Sequence, residues 1–293
     1  MMTNINQYSE ILENQIKLFN ERLNKDIGIK DFEDLNEDVK DIYSTIEKEK
    51  AHLKEDIVLP EIGIKAIAML SFLFNEETNV IVGEWSANDY FRVQNTFSGL
   101  ISQLTNGLLG TLKLIEAGLD YQARVLFRNV TEMSWLIIVL INDINWLKKY
   151  IQGERHADFF KAYKVRNKLN EIENKTQLPK DIKKLIRTQR QEIYKFYSEI
   201  IHNAYPNPIL GTLVSGFTDG DYMSPNLFGK ISTSSQKTIA EVNTCIFLFL
   251  LMFYRALRDV HGYKVKEEKI DFFISRSVIL KETFIKGYFL TLQ

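Results

Sequence analysis

Helical periodicity runs through most of this chain and limits its fold more than any other sequence feature. Apolar residues recur every three or four positions in long charged segments, and no sustained alternation of period two is bounded by hairpin turns. Glycine and proline are sparse, at 14 and 5 of 293 residues. The sequence therefore predicts an all-α fold, an irregular multi-helix bundle.

Helix boundaries follow from capping residues and helix breakers. Two amphipathic helices at about 5–26 and 32–57 predict an N-terminal helical hairpin that Pro60 closes. Ser86 followed by Asp89 is typical of a helix start. The helices expected beyond the hairpin span about 86–117, 121–141, 144–152, 155–173, 180–202, 236–262 and 267–288.

We expect two parts, an acidic N-terminal helical hairpin of residues 1–60 and a main helical domain of residues 61–293. The main domain contains one long loop at 205–234, which holds three of the five prolines. Loops longer than about 12–15 residues are uncommon in compact domains and tend to be functional or disordered. The apolar content of this loop favours packing over the bundle, with a mobile surface loop as the alternative.

The charges almost cancel, at 37 Lys and Arg against 38 Asp and Glu, but they are unevenly distributed. Residues 1–57 carry 8 basic and 14 acidic side chains, whereas residues 146–203 carry 14 basic and 7 acidic. The basic region predicts either a surface for nucleic acid or another anion, or a solvated face that balances the acidic hairpin. Its candidate phosphate contacts are Lys180, Lys183, Lys184, Arg187, Arg190 and Lys195.

Several classes of protein are disfavoured by composition. The single cysteine, Cys245, excludes an intramolecular disulfide and a cysteine-based zinc site, and it suits a reducing cytosol. The first ten residues do not have the pattern of a secretory signal. The longest apolar runs, within 241–255 and 132–143, are shorter than the ~20 residues of a membrane-spanning helix. We therefore expect a cytoplasmic protein without a membrane partner.

Two predicted helices carry polar side chains spaced four residues apart, so that neighbours in each series touch. A solvated face with surface ion pairs is one interpretation, and a cleft beneath the 205–234 loop is the other. In the cleft, His202 would be a general base or phosphate contact, Arg128 would hold an anion, and Glu132 would orient them. The two series are Arg190, Tyr194, Ser198 and His202 at 180–202, and Arg124, Arg128 and Glu132 at 121–141.

Residues 118–132 and 194–202 resemble a poorly characterised bacterial family of all-helical domains of unknown function. Its members share an Arg-x-x-x-Glu helix and a later Tyr-x-x-x-Ser-x-x-x-His helix. The resemblance covers about residues 90–260 and leaves the N-terminal hairpin outside. It implies a stress or antiviral (phage) defence setting and a conserved polar pocket, which would consist of Arg128, Glu132, Tyr194, Ser198 and His202.

A weaker alternative site is the pair Arg255 and His261, which five residues separate. Ribonucleases of the HEPN class have an Arg and a His at this kind of spacing, which supply a cation and a base for attack of a 2′-hydroxyl on the phosphodiester. Ala256 stands where those enzymes usually have a polar residue. This departure weakens the prediction of a ribonuclease at this position.

No motif indicates a metal or a cofactor. Glu49 with His52 and Glu199 with His202 have the Glu-x-x-His spacing of di-iron bundles, but His52 lies in a strongly hydrophilic segment. A Gly-rich phosphate loop, a His-Glu-x-x-His site and a Gly-x-Ser-x-Gly elbow are all missing from the sequence. We expect neither a cofactor nor a metal site.

Three functions remain open at this stage. The first is binding of an anionic ligand or cleavage of RNA, for which His202, Arg128 and Glu132 should converge in a concave, partly dry site. The second is a non-catalytic adaptor that binds a partner subunit or a second copy of the chain through an apolar patch. The third is nucleic-acid binding without catalysis, which predicts a continuous exposed stripe of Lys183, Lys184, Arg187 and Arg190.

Overall fold

The chain forms an all-α multi-helix bundle, as the periodicity predicts. A computed structural model describes residues 5–24, 28, 40–41, 43–82, 85–153, 160–201, 213–214, 224–225 and 229–255. The elements are α1 (Ile5–Leu23), a 3-10 turn (Lys50–Leu53), α2 (Lys54–Val82), α3 (Ala87–Glu116), α4 (Asp120–Asn142), α5 (Ile144–Ile151), α6 (Ala162–Lys175), α7 (Lys180–Ile201), β1 (Leu213–Val214), β2 (Ser224–Pro225) and α8 (Thr233–Arg255).

Internal contacts divide the chain into two units, Met1–Ala51 and His52–Gln293. The first unit contains α1 and a helical segment at 43–49. The second contains α2 and all later elements, and the division falls within the 3-10 turn. The division falls before residue 60, because α2 begins at Lys54 and continues without a break past that position.

Pro60 lies inside α2, so the prediction that it closes a hairpin is wrong. Proline in a helix interior removes one backbone hydrogen bond and crowds the preceding turn, at a cost of about 3 kcal/mol. Helix α2 packs against α3 and α8 and offsets this cost by burying an apolar stripe. Helix α2 continues to Val82. The buried stripe consists of Ile57, Ile64, Ile67 and Leu70.

Helices α3, α4, α5 and α7 begin and end close to their predicted positions, whereas α6 begins at Ala162 and not near 155. Helix α3 starts directly after Ser86, whose hydroxyl accepts a hydrogen bond from the Asp89 N–H at 3.3 Å. Helices α4, α5 and α7 match the predicted spans at both ends within one residue. The sequence did not predict the antiparallel pairing of β1 with β2. The predicted helix at 267–288 and most of the 205–234 loop lie outside the described residues.

Helix α4 is the centre of the bundle. It packs against α3, α5, α6, α7 and α8, and residues 135–141 are all buried, as their apolar sequence predicts. By length and hydropathy alone, α4 and the Thr233–Phe253 part of α8 could also cross a membrane. At least half of each apolar segment is buried inside the bundle, and a core helix of a soluble protein passes the same test. The absence of a membrane partner stays a prediction.

Gly118 separates α3 from α4 and adopts a left-handed conformation, with φ of 72°. Its carbonyl accepts a hydrogen bond from the Lys230 N–H at 2.9 Å, and a Cβ at this position would lie 2.4 Å from the Lys230 nitrogen. We expect Gly118→Ala to lower the free energy of unfolding by about 2–4 kcal/mol, because backbone strain and a backbone clash add together. Urea unfolding measures this loss.

Gly153 supplies the matched control for Gly118. Its φ is 75°, but a Cβ there would meet no atom of the described residues within 4 Å. Gly153→Ala should therefore lower the free energy of unfolding by about 1–2 kcal/mol, through backbone strain alone. Equal losses for the two variants would contradict the close approach of residues 229–230 to Gly118.

Candidate functional site

Helices α4 and α7 lie against each other, although about 60 residues separate their polar motifs. Phe127 of α4 and Tyr197 of α7 are fully buried, and their rings meet edge to face with centroids 5.1 Å apart. This contact brings the Arg-x-x-x-Glu segment next to the Tyr-x-x-x-Ser segment. The arrangement on which the predicted pocket depends is therefore present.

Five residues of α4, α6 and α7 form what we call the Arg128 cluster: Arg128, Glu132, Trp135, Arg166 and Tyr194. Arg128 Nη2 lies 3.0 Å from Glu132 Oε1 and donates a hydrogen bond to the Tyr194 hydroxyl at 3.3 Å. The guanidinium carbons of Arg128 and Arg166 lie 5.4 Å and 5.3 Å from the centroid of the Tyr194 ring. The Trp135 ring lies 5.5 Å from the same ring. Two cations thus share one aromatic ring, an arrangement that the ring quadrupole stabilises.

The Arg128 cluster has hydrogen-bonding capacity that the described residues do not use. The side chains of Arg128 and Glu132 are 18% and 26% exposed. Arg128 Nε and Glu132 Oε1 are nevertheless buried atoms without a hydrogen-bond partner among the described residues, although Oε1 lies 3.0 Å from Arg128 Nη2 in an ion pair. Arg166 makes no ion pair with a carboxylate in the described part of the chain. The cluster therefore combines two guanidinium groups with one carboxylate.

An open cavity of about 300 Å³ lies beside Glu132. One part of its lining is aromatic, and the polar part consists of one carboxylate and two side-chain amides. Burial raises the pKa of the Tyr150 phenol, so this wall of the cavity is uncharged at neutral pH. The cavity is lined by Leu100, Gln103, Asn129, Glu132, Met133, Trp135, Leu136, Tyr150, Phe160, Ala162 and Val165.

Arg124 lies apart from this cluster, contrary to its predicted place in the pocket. It is buried, lies 2.8 Å from Asp120 in an ion pair, and donates hydrogen bonds to Thr238 Oγ1 at 3.0 Å and to the Ser234 hydroxyl. Its guanidinium therefore joins α4 to the beginning of α8. Sequence reasoning missed Asp120, although it stands one helical turn before Arg124.

Arg190 is 4% exposed and pairs with Glu173 of α6, which is fully buried. It also donates a hydrogen bond to Asn170 Oδ1 at 2.7 Å. Arg187 Nε lies 2.9 Å from the other oxygen of the Glu173 carboxylate. The predicted binding role of Arg190 is thus replaced by a structural one. Sequence reasoning missed Glu173, because an acidic residue in a polar helix looks like a surface residue.

The predicted exposed basic stripe is not continuous. Arg190 is buried and Arg187 is ion-paired, while Lys183 Nζ donates a hydrogen bond to the Thr176 carbonyl at 2.7 Å. Lys184 is exposed. Lys183, Arg187 and Arg190 thus tie α7 to the C-terminal end of α6, where cations compensate the helix dipole.

His202 and His261 both lie outside the residues that the structure describes. His202 is the residue that follows the end of α7. Ser198 is partly buried one turn beyond Tyr194, and Arg255 is the last residue of α8. The catalytic role of His202 and the alternative pair Arg255 and His261 stay predictions.

A buried carboxyl–phenol pair escaped the sequence analysis. The Tyr197 hydroxyl donates a hydrogen bond to Glu241 Oε2 of α8. Burial raises the pKa of Glu241, and burial next to this carboxyl raises the pKa of Tyr197 well above its usual value. Glu241 lies 44 residues after Tyr197 in the sequence, so no local signal indicated this polar partner.

The raised pKa of Glu241 predicts a pH dependence of stability. At pH values between the pKa of Glu241 in the unfolded chain and its raised pKa in the folded protein, the folded protein binds more protons than the unfolded chain. The free energy of unfolding therefore falls as pH rises through this window. Glu241→Gln keeps an acceptor for Tyr197 and removes the titration. We expect the stability of this variant relative to wild type to increase from about pH 4 towards neutrality. Urea unfolding across this range tests it, and a difference that is constant or shrinks with pH would contradict it.

Within the ranges that the structure covers, no group of three or more His, Cys, Asp or Glu side chains could hold a metal ion. Cys245 is a buried free thiol, and burial raises its pKa to about 11. This thiol is therefore protonated at neutral pH, which makes it a poor nucleophile and a poor metal ligand.

Comparisons of the chain with protein-family models, curated proteins and solved structures find no match. The resemblance to the bacterial family with Arg-x-x-x-Glu and Tyr-x-x-x-Ser-x-x-x-His helices stays a prediction. The case for a functional site therefore depends on the geometry of the Arg128 cluster.

Proposed function

We propose that this protein binds a small oxyanion at the Arg128 cluster. The observation that carries the proposal is the pair of guanidinium groups, Arg128 and Arg166, beside one tyrosine ring, with Glu132 as the single carboxylate contact among the residues described. Guanidinium groups present a planar fork of N–H donors that matches phosphate and carboxylate oxygens. The cluster keeps part of its positive charge available for such a ligand.

The other buried arginines show what a purely structural guanidinium looks like in this protein. Arg124 and Arg190 are almost completely buried, and each has a carboxylate together with side-chain oxygens as partners. Arg128 is more exposed, at 18% against 4% for the Arg190 side chain, so a ligand can reach its guanidinium. Its Nε has no acceptor among the described residues, but neither has Arg190 Nε, so accessibility is what separates Arg128 from the structural arginines.

Calorimetric titration with inorganic pyrophosphate tests the proposal. We expect saturable binding to the wild type. Arg166→Gln and Arg128→Gln should each weaken it roughly 10- to 100-fold, because each removes a charge-assisted hydrogen bond. Lys184→Gln removes an exposed charge on α7 and serves as the matched control, with an expected change below about 2-fold. Absence of binding, or equal weakening by all three variants, would refute the proposal.

RNA is one source of such an oxyanion, and its cleavage with His202 as general base stays a prediction, as does the setting of stress or phage defence. The adaptor alternative makes the opposite prediction for the same titration. An adaptor would not bind pyrophosphate saturably, and Arg166→Gln would leave its partner affinity unchanged.

A further inference from the structure

The cavity beside Glu132 has the size and the walls of a small binding site. Its volume of about 300 Å³ is at the lower end for small-molecule pockets and suits one or two fused rings. Trp135, Tyr150 and Phe160 contribute to its lining, and the Tyr150 and Phe160 rings meet edge to face with centroids 5.3 Å apart. Aromatic side chains bind planar rings by stacking, with little dependence on the identity of the ring.

The polar part of the lining specifies which planar ring fits. Glu132 is the single charged residue among the lining residues described, and its side chain is 26% exposed. The amides of Asn129 and Gln103 add donors and acceptors. A hydrocarbon ring offers this carboxylate no donor, whereas a nitrogen heterocycle with N–H groups on one edge does.

Glu132 also connects this cavity to the oxyanion site. Its Oε1 lies 3.0 Å from Arg128 Nη2, so a ring that approaches this carboxylate lies next to the guanidinium. Arg128 and Arg166 both lie beside Tyr194. A molecule with a ring at one end and an oxyanion at the other could contact both groups of residues.

We infer that the ligand is a nucleoside phosphate, with its base in the cavity beside Glu132 and its phosphate at Arg128 and Arg166. The inference rests on the proposed function, because the phosphate uses the same oxyanion site. The base stacks on the aromatic wall and donates an N–H to Glu132, whose charge Arg128 partly balances. The ring subsite is new relative to the oxyanion site and depends on different residues.

Three probes separate the two subsites by calorimetry: adenosine for the ring, pyrophosphate for the anion, and adenosine 5′-monophosphate for both. Ala162 lines the cavity and begins α6, so Ala162→Leu fills the ring subsite. This variant should weaken adenosine and adenosine 5′-monophosphate by at least roughly 10-fold and change pyrophosphate by less than about 2-fold. Ala240→Leu, at an exposed position of α8, is the matched control and should change none of the three affinities.

Two further measurements keep the test independent of the effect of a larger side chain on folding. Glu132→Gln preserves the size of the side chain and should weaken adenosine roughly 10-fold, because the neutral amide is a weaker acceptor than the carboxylate. N6,N6-dimethyladenosine lacks the N–H donors of adenosine and should bind the wild type roughly 10-fold more weakly than adenosine.

The outcomes distinguish this inference from the proposed function. If pyrophosphate binds but adenosine does not, or if Ala162→Leu leaves adenosine binding unchanged, the ring subsite is refuted and the oxyanion site stands. If adenosine binds but pyrophosphate does not, the proposed function is refuted, and with it the nucleoside phosphate. Binding of both, with the separate effects of Ala162→Leu and Arg166→Gln, supports the whole inference.

Discussion

Glu173→Leu is expected to lower the free energy of unfolding by about 3–5 kcal/mol. Glu173 is fully buried between α6 and α7, where its two oxygens pair with Arg187 and Arg190. Without the carboxylate, Arg190 keeps a positive charge in a site that is 4% exposed, far from the water that would stabilise it. Urea unfolding of the variant and the wild type at neutral pH measures the loss.

Two controls separate the buried charge from other effects of this substitution. Glu173→Leu with Arg190→Met removes both charges and should recover most of the loss, because apolar residues replace a buried ion pair with little change in stability. Glu171→Ala breaks an ion pair with Lys168 at a position that is 61% exposed, and it should cost less than about 1 kcal/mol. A loss for Glu173→Leu no larger than for Glu171→Ala would mean that Glu173 and Arg190 are solvated.

Phe127→Ala is expected to lower the free energy of unfolding by a similar amount, about 3–5 kcal/mol. Its ring is fully buried and meets Tyr197 edge to face, so the truncation leaves a hole between α4 and α7. Arg128 is the next residue, and its position relative to Tyr194 depends on the same contact between helices. Thermal or urea unfolding gives the stability loss, and pyrophosphate titration below the unfolding transition should show weaker binding.

Phe91 provides the matched control on α3. Its side chain is 64% exposed, and Phe91→Ala should change the free energy of unfolding by no more than about 0.5 kcal/mol. Similar losses for the two variants, or unchanged pyrophosphate affinity of folded Phe127→Ala, would contradict the packing of α4 on α7 as the basis of the site.

Helix boundaries were predictable where residues within one helical turn determine them. The Ser86 hydroxyl caps α3 through Asp89, and Gly118 ends the same helix because it adopts a positive φ. Pro60 shows the limit of this reasoning. Its local effect disfavours a helix, but the burial of the apolar face of α2 against two other helices is larger, and that burial depends on residues far away in the chain.

The sequence predicted where the candidate site lies, but not which residues belong to it. The spacing of four residues placed Arg124 and Arg128 in one series, yet each such step turns by about 40° around the helix. Arg124 consequently contacts residues of α8, whereas Arg128 lies beside Tyr194 of α7. The spacing alone does not show which helix each arginine contacts, because α7 and α8 come from later parts of the chain.

The same reason explains the functional residues that the sequence analysis missed. Arg166 lies in α6, and nothing in its local sequence indicates that its guanidinium reaches the ring of Tyr194, 28 residues later. Glu241 reaches Tyr197 across a comparable separation. Such pairs form when three helices pack together. Helical periodicity predicts which face of each helix is buried, but not which residue of another helix it contacts.

The most direct test of the oxyanion site is an NMR titration of the arginine Nε–Hε resonances with pyrophosphate. The proposal predicts saturable shifts for Arg128, whose Nε gains its missing acceptor, and for Arg166, whose guanidinium gains a charge partner. Arg124 and Arg187, whose Nε–H groups donate hydrogen bonds to Thr238 and Glu173, should shift little. Unchanged Arg128 and Arg166 resonances at saturating pyrophosphate, or equal shifts for all four arginines, would contradict the account.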